Sequence, residues 1–512
     1  MNMKRTIGCA VCALWALVAM AEVSLVPYPW RVAEKAGVFN LGKRTFIFAD
    51  DSEGAKPAAR LLRDYCREEL GVRLRDPHAL PDKGNRIAFY GDASLPFEGY
   101  TLRMYPDLIE ARASSAEGFF YAVQTLKQLM TCRKVPLADI DDAPAMAWRG
   151  LHLDECRHFF GKEAVMRFID RMAACKMNRL HWHLTDDQGW RIEVPGYPLL
   201  TQVGALRPSS PRRGDRSAQD GRPYGPFYYT LSDLREVVDY ARTRHVTVVP
   251  EVEMPGHGYA AIAAYPWLCC RPDSLPYRHP RVTWGIEDDV FCIGSDSTLR
   301  FLERVLDTVC GVFDSPVVHI GGDEAPSVRW SRCPRCRARM EAEGLSEPRQ
   351  LQYWLVNHMA RYLAAKGRRL MGWSEIYNDS LPASAMLMSW QDLQLGARAA
   401  ATGHDVVMTP TAYCYLDYNP LREADTLEYF DASLTLGQVY SLDPFRYVSD
   451  GEARGHIVGV QGNNWSEYTW TPAELERKVY PRALAIAEIG WTGAGRRTLS
   501  DFLERVARVS EP

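Results

Sequence analysis

The sequence has no strong excess of charge of either sign. Its 512 residues include 61 Lys and Arg against 64 Asp and Glu, which gives a formal net charge of -3 at pH 7. No long basic run occurs, so the charge pattern gives no reason to expect a nucleic-acid partner. With 46% apolar and 24% charged residues, the composition is that of a folded globular protein. A chain of this length suits two or three domains.

Long hydrophobic runs are also missing, apart from one near the N-terminus. Lys4 and Arg5 precede an apolar run over residues 7–20, which is short for a membrane span. The small residues of the AMA tripeptide at 19–21 follow, as they do at the cleavage site of a signal peptide. We therefore predict no membrane span and an exported mature chain, either periplasmic or secreted.

Cysteine is scattered rather than regularly spaced. Removing the predicted signal peptide takes away Cys9 and Cys12 and leaves 11 of the 13 cysteines, an odd number. Their scatter argues against a disulfide framework. Cys333 and Cys336 are the one pair with metal-like spacing, and no second pair or nearby histidine accompanies them along the chain. The sequence therefore favours a loop disulfide or free thiols there over zinc.

The first part of the mature chain mixes strand-like and helix-like segments. Residues 86–91 and 99–113 have strand character, and residues 58–70 and 118–130 have helical periodicity. This pattern predicts a small α+β domain without an obvious constellation of acids or nucleophiles. The chain is thus divided into a signal peptide (1–21), this domain (22–143) and a larger domain (144–512).

From Trp148 onward, short apolar runs that end in polar residues alternate with amphipathic stretches. Eight strand candidates separated by helices predict a (β/α)8 TIM barrel. A doubly wound open sheet is the alternative, but the glycine-rich phosphate turn that usually follows its first strand is missing. The runs are residues 150–154, 179–184, 246–253, 316–321, 369–375, 385–390, 405–410 and 456–462.

Polar and aromatic residues follow most of these predicted strands. Active sites of such barrels lie at the carboxyl ends of the strands, so we expect these side chains to converge. They are Asp154, Arg157, Asp186, Asp187, Glu253, His257, Asp323, Glu324, Trp373, Glu375, Trp390, Tyr415, Asp417, Trp465 and Glu467.

Asp323 and Glu324 stand side by side after an apolar run and two glycines. Paired carboxylates suggest glycoside hydrolysis, in which a retaining enzyme usually sets two carboxyl groups roughly 5 Å apart across the bond. Neighbours on one strand point to opposite faces and would serve that design badly. A substrate-assisted reaction fits better, with a 2-acetamido group as the nucleophile. An isolated Asp-Glu pair can also be a solvated strand end with no catalytic role.

In this interpretation the two acids divide the work. Glu324 is the proton donor and later the base, with its pKa raised by the charge beside it. Asp323 stays ionised, holds the acetamido N–H and stabilises the developing positive charge.

The motif HIGGDEA closely resembles the signature of the glycoside hydrolase family 20 β-N-acetylhexosaminidases. The resemblance extends through WRGLHLDECRHFF, KMNRLHWHLTDDQGWRIEV, VVPEVEMPGH, GWSE, MSW, YLD and NNWSE, from Trp148 to the C-terminus. The preceding domain looks like the family's non-catalytic α+β domain, on the weaker motifs EGYTL and GFFYAVQTLKQL. The resemblance implies a barrel enzyme that needs no metal and no organic cofactor.

The resemblance also implies roles for individual residues. Asp323 and Glu324 match the acetamido-orienting acid and the general acid/base, and Arg157 matches the arginine that binds O3 and O4 of the sugar. Tyr415 matches the tyrosine that bonds the acetamido oxygen, with Asp417 beside it. The remaining matches are Trp373, Trp390 and Trp465 around the acetamido pocket, Glu467 at O4 and O6, and Asp187 and His257 lining the subsite.

The histidines of the predicted strands have structural interpretations. We expect His181 and His183 to face opposite ways along their strand, which argues against joint metal ligation. His152 and His319 are expected to be packed or hydrogen-bonded inside the barrel. Two long loops, 207–229 and 268–285, are expected near the site on the leaving-group side.

The expected function is therefore an exo-acting, retaining β-N-acetylhexosaminidase whose partner is a glycan with a terminal GlcNAc or GalNAc. Three alternatives remain: a lacto-N-biosidase or a 6-sulfo-GlcNAc-specific member of the same family, a catalytically inactive sugar-binding protein, and a metal-dependent barrel hydrolase. The sequence leaves the preferred sugar, the linkage and the oligomeric state open.

Overall fold

The computed structural model describes residues 23–130, 132–421, 430–449 and 451–509. The predicted signal peptide lies outside these residues. Among the helices that are described, none has both the length and the apolar character that a membrane crossing requires.

The N-terminal domain is a six-stranded sheet with two helices. Its strand order is β1-β6-β4-β5-β3-β2, with β2, β3 and β5 parallel and the remaining pairs antiparallel. The strand predicted at residues 86–91 is confirmed. The strand-like segment 99–113 forms two strands of a hairpin instead of one. The elements are β1 (Arg31–Asn40), β2 (Phe46–Ala49), α1 (Ala55–Glu68), β3 (Arg86–Gly91), β4 (Tyr100–Met104), β5 (Leu108–Ala113), α2 (Ala116–Leu129) and β6 (Lys134–Asp142).

The larger domain is a closed barrel of eight parallel strands in the order β7-β8-β13-β14-β15-β16-β17-β20. Each barrel strand falls on one of the eight predicted runs, which confirms the TIM barrel. The strands of this domain are β7 (Trp148–Asp154), β8 (Arg179–His183), β9 (Thr185–Asp186), β10 (Gly189–Trp190), β11 (Pro211–Arg212), β12 (Asp215–Gln219), β13 (Thr247–Glu251), β14 (Val317–His319), β15 (Arg369–Trp373), β16 (Met386–Ser389), β17 (Val406–Met408), β18 (Tyr418–Asn419), β19 (Phe430–Ser433) and β20 (Ile457–Asn464).

Helices connect the barrel strands and cover the outside. The longer ones present an apolar stripe to the strands, as the spacing of their buried residues requires. They are α3 (Lys162–Ala174), α4 (Leu199–Gln202), α5 (Leu231–Arg242), α6 (Tyr259–Ala264), α7 (Asp296–Val312), α8 (Pro334–Ala342), α9 (Gln350–Ala364), α10 (Leu393–Ala401), α11 (Thr411–Cys414), α12 (Leu436–Tyr440), α13 (Gly451–Gly455), α14 (Pro472–Val479), α15 (Arg482–Trp491) and α16 (Leu499–Arg508).

The barrel interior contains a buried glutamate surrounded by histidines. Glu251 Oε2 lies 3.2 Å from His181 Nε2 and also contacts His183 Nδ1, while Glu251 Oε1 lies 2.9 Å from His319 Nδ1. The expectation that His181 and His183 face opposite ways is wrong, because residues two apart on a strand share one face. His319 is hydrogen-bonded inside the barrel, as predicted, because its Nδ1 accepts from the backbone N–H of Gly321 at 3.0 Å, and His152 packs against the ring of His181.

The cysteine pair at 333 and 336 has neighbours that the sequence did not indicate. Cys270 and Cys292 bring their thiols to Cys333 and Cys336, and all four are free thiols. The expectation of no second pair is therefore wrong, since these two cysteines lie 41 or more residues away along the chain and only the fold brings them close. Of the two predicted alternatives at Cys333 and Cys336, the structure has free thiols and not a loop disulfide.

Candidate active site

Asp323 and Glu324 lie in a sharp turn beyond the end of β14. Gly321, Gly322 and Glu324 have φ angles of 65°, 91° and 45°, so the chain passes through left-handed conformations that favour glycine. A Cβ at Gly321 would also lie only 1.7 Å from a carboxyl oxygen of Glu253. The two glycines therefore allow the tight turn that carries the two acids.

The two acids do not point to opposite sides, because they lie beyond the strand rather than on it. His257 Nε2 lies 3.8 Å from Asp323 Oδ2 and 3.5 Å from Glu324 Oε2. The strand-alternation argument thus does not apply to this pair. Asp323 is buried, whereas the Glu324 side chain is 39% exposed, so the two carboxyl groups differ in access to solvent and substrate.

The pKa shifts of the free site run opposite to the predicted ones. Burial raises the pKa of Asp323 to about 7, against the partial opposition of the His257 cation. A hydrogen bond from His257 lowers the pKa of Glu324, which is less buried than its neighbour. The prediction that Glu324 has the raised pKa and that Asp323 stays ionised is therefore wrong for the site without substrate. Unequal burial and the placement of His257 cause the difference.

His257 connects the acid pair to a deeper carboxylate. Its Nδ1 lies 3.2 Å from Asp186 Oδ1, while its Nε2 faces Asp323 and Glu324. Burial opposes protonation of the ring, but the surrounding carboxylates, led by Asp186 and Asp323, raise the pKa of His257 well above its usual value. The site thus holds an imidazolium beneath its two acids.

Arg157 is held on the floor of the site by carboxylates. Its guanidinium lies 2.9 Å from Asp186 Oδ2, 3.1 Å from Asp154 Oδ2 and 3.4 Å from Glu467 Oε1. Trp465 covers it, with the ring centroid 5.0 Å from the guanidinium carbon. In the structure Arg157 is therefore an ion-pair partner of three carboxylates.

Aromatic side chains pack together near the carboxyl ends of the barrel strands. The rings of Trp373 and Trp465 lie 5.8 Å apart at 44°, and those of Trp390 and Tyr415 lie 6.2 Å apart at 28°. Trp373 is fully buried and Trp390 and Trp465 are half-buried. The four predicted aromatic residues are thus brought to the carboxyl ends of four different barrel strands.

Asp417 and Glu467 are buried acids on the far side of these rings. Burial raises the pKa of Asp417 to about 8, and the charge of Glu467 raises it further. Burial also raises the pKa of Glu467, although Arg157 opposes this shift. Glu467 Oε2 is buried and has no hydrogen-bond partner among the described residues.

Asp187 belongs to the frame of the site rather than to its lining. Its Oδ1 accepts a hydrogen bond of 2.9 Å from the backbone N–H of Tyr259, and it is 1% exposed. Its other oxygen lies 3.6 Å from His257 Nδ1. Its contribution is to fix the segment that carries His257.

Two acids of the site were noted in the sequence only as residues that follow strands. Asp186 links Arg157 to His257, and Glu375 accepts a hydrogen bond of 2.9 Å from Trp390 Nε1. Their position after strands was the available signal. Nothing local in the sequence distinguishes such supporting acids from those that could touch a ligand.

Both long loops pack beside the site. From the first, Arg207 Nη2 donates a hydrogen bond of 2.7 Å to the backbone oxygen of Arg157. From the second, the N–H of Arg281 donates to the backbone oxygen of Asp187, and the carbonyl of Thr283 accepts from Gln188. Their predicted proximity to the site is confirmed.

Comparison with known proteins places this site in a family. The model of the glycosyl hydrolase family 20 catalytic domain matches residues 146–494, and the model of domain 2 of that family matches residues 22–143. Together these two models span nearly all of the described chain.

Individual relatives point to the same family as the family models. A β-hexosaminidase of Porphyromonas gingivalis is 37% identical over 98% of this chain and 67% of its own length, and one of Akkermansia muciniphila is 35% identical over 81% and 83%. The crystal structure of a β-N-acetylhexosaminidase from Bacteroides fragilis has a TM-score of 0.77 and 32% identity over 94% of both chains. An exo-β-N-acetylglucosaminidase from Vibrio harveyi has a TM-score of 0.84 and 28% identity over 95% of this chain and 76% of that one. The chain therefore belongs to glycosyl hydrolase family 20 and is a glycoside hydrolase of the β-hexosaminidase type.

Proposed function

We propose that this enzyme is a retaining exo-β-N-acetylhexosaminidase that releases a terminal GlcNAc or GalNAc by substrate-assisted catalysis. The observation that carries the proposal is the Asp323–Glu324 pair. Asp323 is buried and its Oδ1 has no hydrogen-bond partner among the described residues, whereas Glu324 is more open. A buried acceptor suits an amide N–H, and a more accessible acid suits a leaving oxygen.

The reaction follows from these positions. Glu324 donates its proton to the glycosidic oxygen while the acetamido carbonyl oxygen of the substrate attacks the anomeric carbon. The bond to the leaving group breaks, and an oxazolinium intermediate forms whose positive charge Asp323 stabilises. Glu324 then takes a proton from a water molecule whose oxygen attacks the anomeric carbon. The bond from that carbon to the acetamido oxygen breaks, which opens the oxazolinium ring and yields the product with retained configuration.

Substrate binding has to reverse the proton distribution of the free site. An acetamido N–H donated to Asp323 would favour the carboxylate and lower its pKa. A sugar that covers Glu324 would remove its exposed fraction from water and raise its pKa. Both changes move the pair toward the state that the reaction needs, so the shifts of the free site are compatible with the proposed roles.

The other residues of the site bind the sugar in this proposal. Arg157 and Glu467 take hydroxyl groups, which suits a fork of N–H donors beside an unpartnered acceptor. Tyr415 donates to the acetamido oxygen, and Trp373, Trp390 and Trp465 enclose the acetamido methyl group and one face of the sugar. The similar exo-β-N-acetylglucosaminidase of Vibrio harveyi was solved in complex with N-acetylglucosamine, which supports a sugar of this type as the ligand.

Hydrolysis of matched aryl glycosides tests the proposal. We expect turnover of β-GlcNAc or β-GalNAc glycosides but not of the β-glucoside, inhibition by a thiazoline analogue of the intermediate, and large losses of kcat in Asp323→Asn and Glu324→Gln. Equal turnover of the plain glucoside would refute substrate assistance. Release of intact disaccharides, or activity confined to 6-sulfated GlcNAc, would identify one of the two alternative specificities instead.

We also propose that the enzyme is exported, on the pattern of its N-terminal residues alone. Expression of the full chain in a Gram-negative host, followed by fractionation and N-terminal sequencing, tests this. Cleavage near residue 22 in the periplasmic or secreted fraction is expected, and an uncut chain that stays in the cytoplasm would contradict it.

A further inference from the structure

Four cysteine thiols meet outside the active site, between two loops of the barrel. The Sγ atoms of Cys270, Cys292, Cys333 and Cys336 all lie within 4.8 Å of one another. The Sγ–Sγ distances are 3.7 Å between Cys270 and Cys336, 3.8 Å between Cys292 and Cys333, and 3.7 Å between Cys292 and Cys336. Cys270 is half-buried and the other three are buried.

These separations are those of a tetrahedron around a metal ion. Zinc binds thiolate sulfur at about 2.3 Å, so the edge of a regular ZnS4 tetrahedron is about 3.8 Å. In a disulfide the two bonded sulfurs would lie about 2.05 Å apart, much closer to each other than to the remaining sulfurs. Three nearly equal separations at the tetrahedral edge length fit one shared ion.

The local backbone is also arranged for thiolates. Cys333 is the N-cap of α8, and Pro334 occupies the first position of that helix. A helix N-terminus favours the negatively charged form of a thiol. The Arg335 side chain donates a hydrogen bond of 2.9 Å to the backbone oxygen of Cys269, which places a positive charge beside the cluster.

The second pair, Cys270 and Cys292, lies at the two ends of one segment of the loop after β13, which we call the excursion. Cys269 and Phe291 form an antiparallel bridge, and the N–H of Cys292 donates to the backbone oxygen of Leu268. This short ladder sets Cys270 beside Cys292 although 22 positions separate them in the sequence. The Cys-x-x-Cys turn before α8 then completes the set of four ligands.

We propose that these cysteines form a closed structural zinc site that joins the loop after β13 to the loop after β14. Zn²⁺ would replace the thiol protons, and four protein ligands would leave no open position for a substrate. The resulting negative charge would be offset by Arg335 and by the N-terminus of α8. This site is separate from the acid pair and does not depend on the proposed reaction.

The site would hold the excursion between Cys270 and Cys292 against the active site. Next to its base, the N–H of Phe291 donates to the backbone oxygen of Pro255, two residues before His257.

Toward its tip, Arg281 and Thr283 bond the segment of Asp187 and Gln188. The Gln188 side chain in turn accepts from Arg157 Nε at 2.9 Å. Loss of the metal is therefore expected to loosen the frame of the sugar site.

Metal analysis of the full-length enzyme gives the first test. After dialysis against metal-free buffer, elemental analysis is expected to find one zinc per chain, and a mercurial reagent is expected to release it to a colorimetric chelator. Protein reconstituted with Co²⁺ after unfolding in chelator should show the absorption of a tetrahedral cobalt–thiolate site. Iron in place of zinc, no bound metal, or two disulfides detected by alkylation without reductant would each overturn the proposal.

Single substitutions give the second test. Cys270→Ser and Cys333→Ser are expected to reduce bound zinc at least tenfold and to lower Tm, even if some activity remains. Cys269→Ser is the matched control, because Cys269 is buried next to Cys270 but is not one of the four ligands. Unchanged zinc content in both ligand variants, or equal zinc loss in the control, would contradict the assignment. A chain that binds zinc but lacks glycosidase activity would refute only the proposed function.

Discussion

At the scale of single residues, the placement of protons is the main question in the active site. Asp323 has a pKa of about 7 in the free site because it is buried, and His257 lowers the pKa of Glu324 by hydrogen bonding. The proposed reaction requires an ionised Asp323 and a protonated Glu324. The cation at His257 therefore sets the pH range in which the free enzyme can accept substrate.

Replacing His257 with asparagine should change the pH dependence of the enzyme. The acid limb of kcat/KM reports the lower pKa of the free acid pair, here that of Glu324. The hydrogen bond from His257 lowers the pKa of Glu324, so its removal raises that pKa and moves the limb to higher pH. Asparagine is chosen because His257 has a φ of 48°, which Asn tolerates.

Steady-state kinetics of the wild type and the variant across pH measure this shift. His358→Asn is a suitable control, since His358 pairs with Glu303 outside the active site. An acid limb that keeps its position in His257→Asn would show that the imidazolium does not control the acid pair.

Replacing Tyr415 with phenylalanine should lower kcat more than it changes KM. If the hydroxyl stabilises the acetamido oxygen as that oxygen attacks, removing it costs roughly 10²-fold to 10³-fold in kcat, as for other single donors to a developing charge. Tyr413→Phe, two positions away and half-buried, serves as the control. A kcat for Tyr415→Phe equal to that of the control would exclude this role.

At the scale of elements, the turn after β14 is the most constrained part of the site. Gly321 has a φ of 65°, and its Cα faces the carboxyl group of Glu253, which leaves no room for a side chain. The same turn sets Asp323 and Glu324 beside His257, so its conformation and the geometry of the acids are linked. The two glycines of HIGGDEA are thus a structural requirement of the acid pair.

Gly321→Ala should therefore destabilise the protein and reduce activity together. The strained φ alone costs on the order of 1–3 kcal/mol, and the overlap with Glu253 adds to this. The control is Gly311→Ala in α7, where a Cβ meets nothing within 4 Å and a small gain in stability is expected. Thermal melting and kcat are measured for both, and a Gly321→Ala variant as stable as the control would contradict the argument.

At the scale of the whole molecule, the N-terminal domain is fastened to the amino end of the barrel by buried ion pairs. Arg149 of β7 bonds both carboxyl oxygens of Glu98 at 2.8 and 3.0 Å, and Asn178 also donates to Glu98. Lys176 pairs with Asp142 at 2.9 Å in the same interface. The active site lies at the other end of the strands, so the interface supports the barrel without taking part in binding.

Glu98→Gln should lower stability without a comparable loss of kcat. Removing one partner of a buried pair leaves the Arg149 charge uncompensated, which typically costs about 3–5 kcal/mol. Asp51→Asn breaks the exposed pair with Lys56 and is expected to change stability far less, because water and salt screen such a pair. Denaturant unfolding and kcat well below Tm are the measurements. A similar small effect in both variants would show that the buried pair is not important for stability.

The barrel, the order of its strands and the acid pair after the fourth strand could all be predicted from the sequence. These features depend on local patterns: apolar runs of strand length, amphipathic stretches between them, and the glycines before Asp323. The small domain was harder to predict from the sequence, because β1 is mostly exposed and shows no regular alternation of buried positions.

Only the tertiary structure decided properties that depend on distant residues. The pKa order of Asp323 and Glu324 follows from burial and from His257, which comes from another strand end. The shared orientation of His181 and His183 toward Glu251 needs the closed barrel to be visible as a cluster. The four thiols meet because loops after two neighbouring strands pack together. Desolvation and through-space contacts act across the fold, and no local stretch of sequence records them.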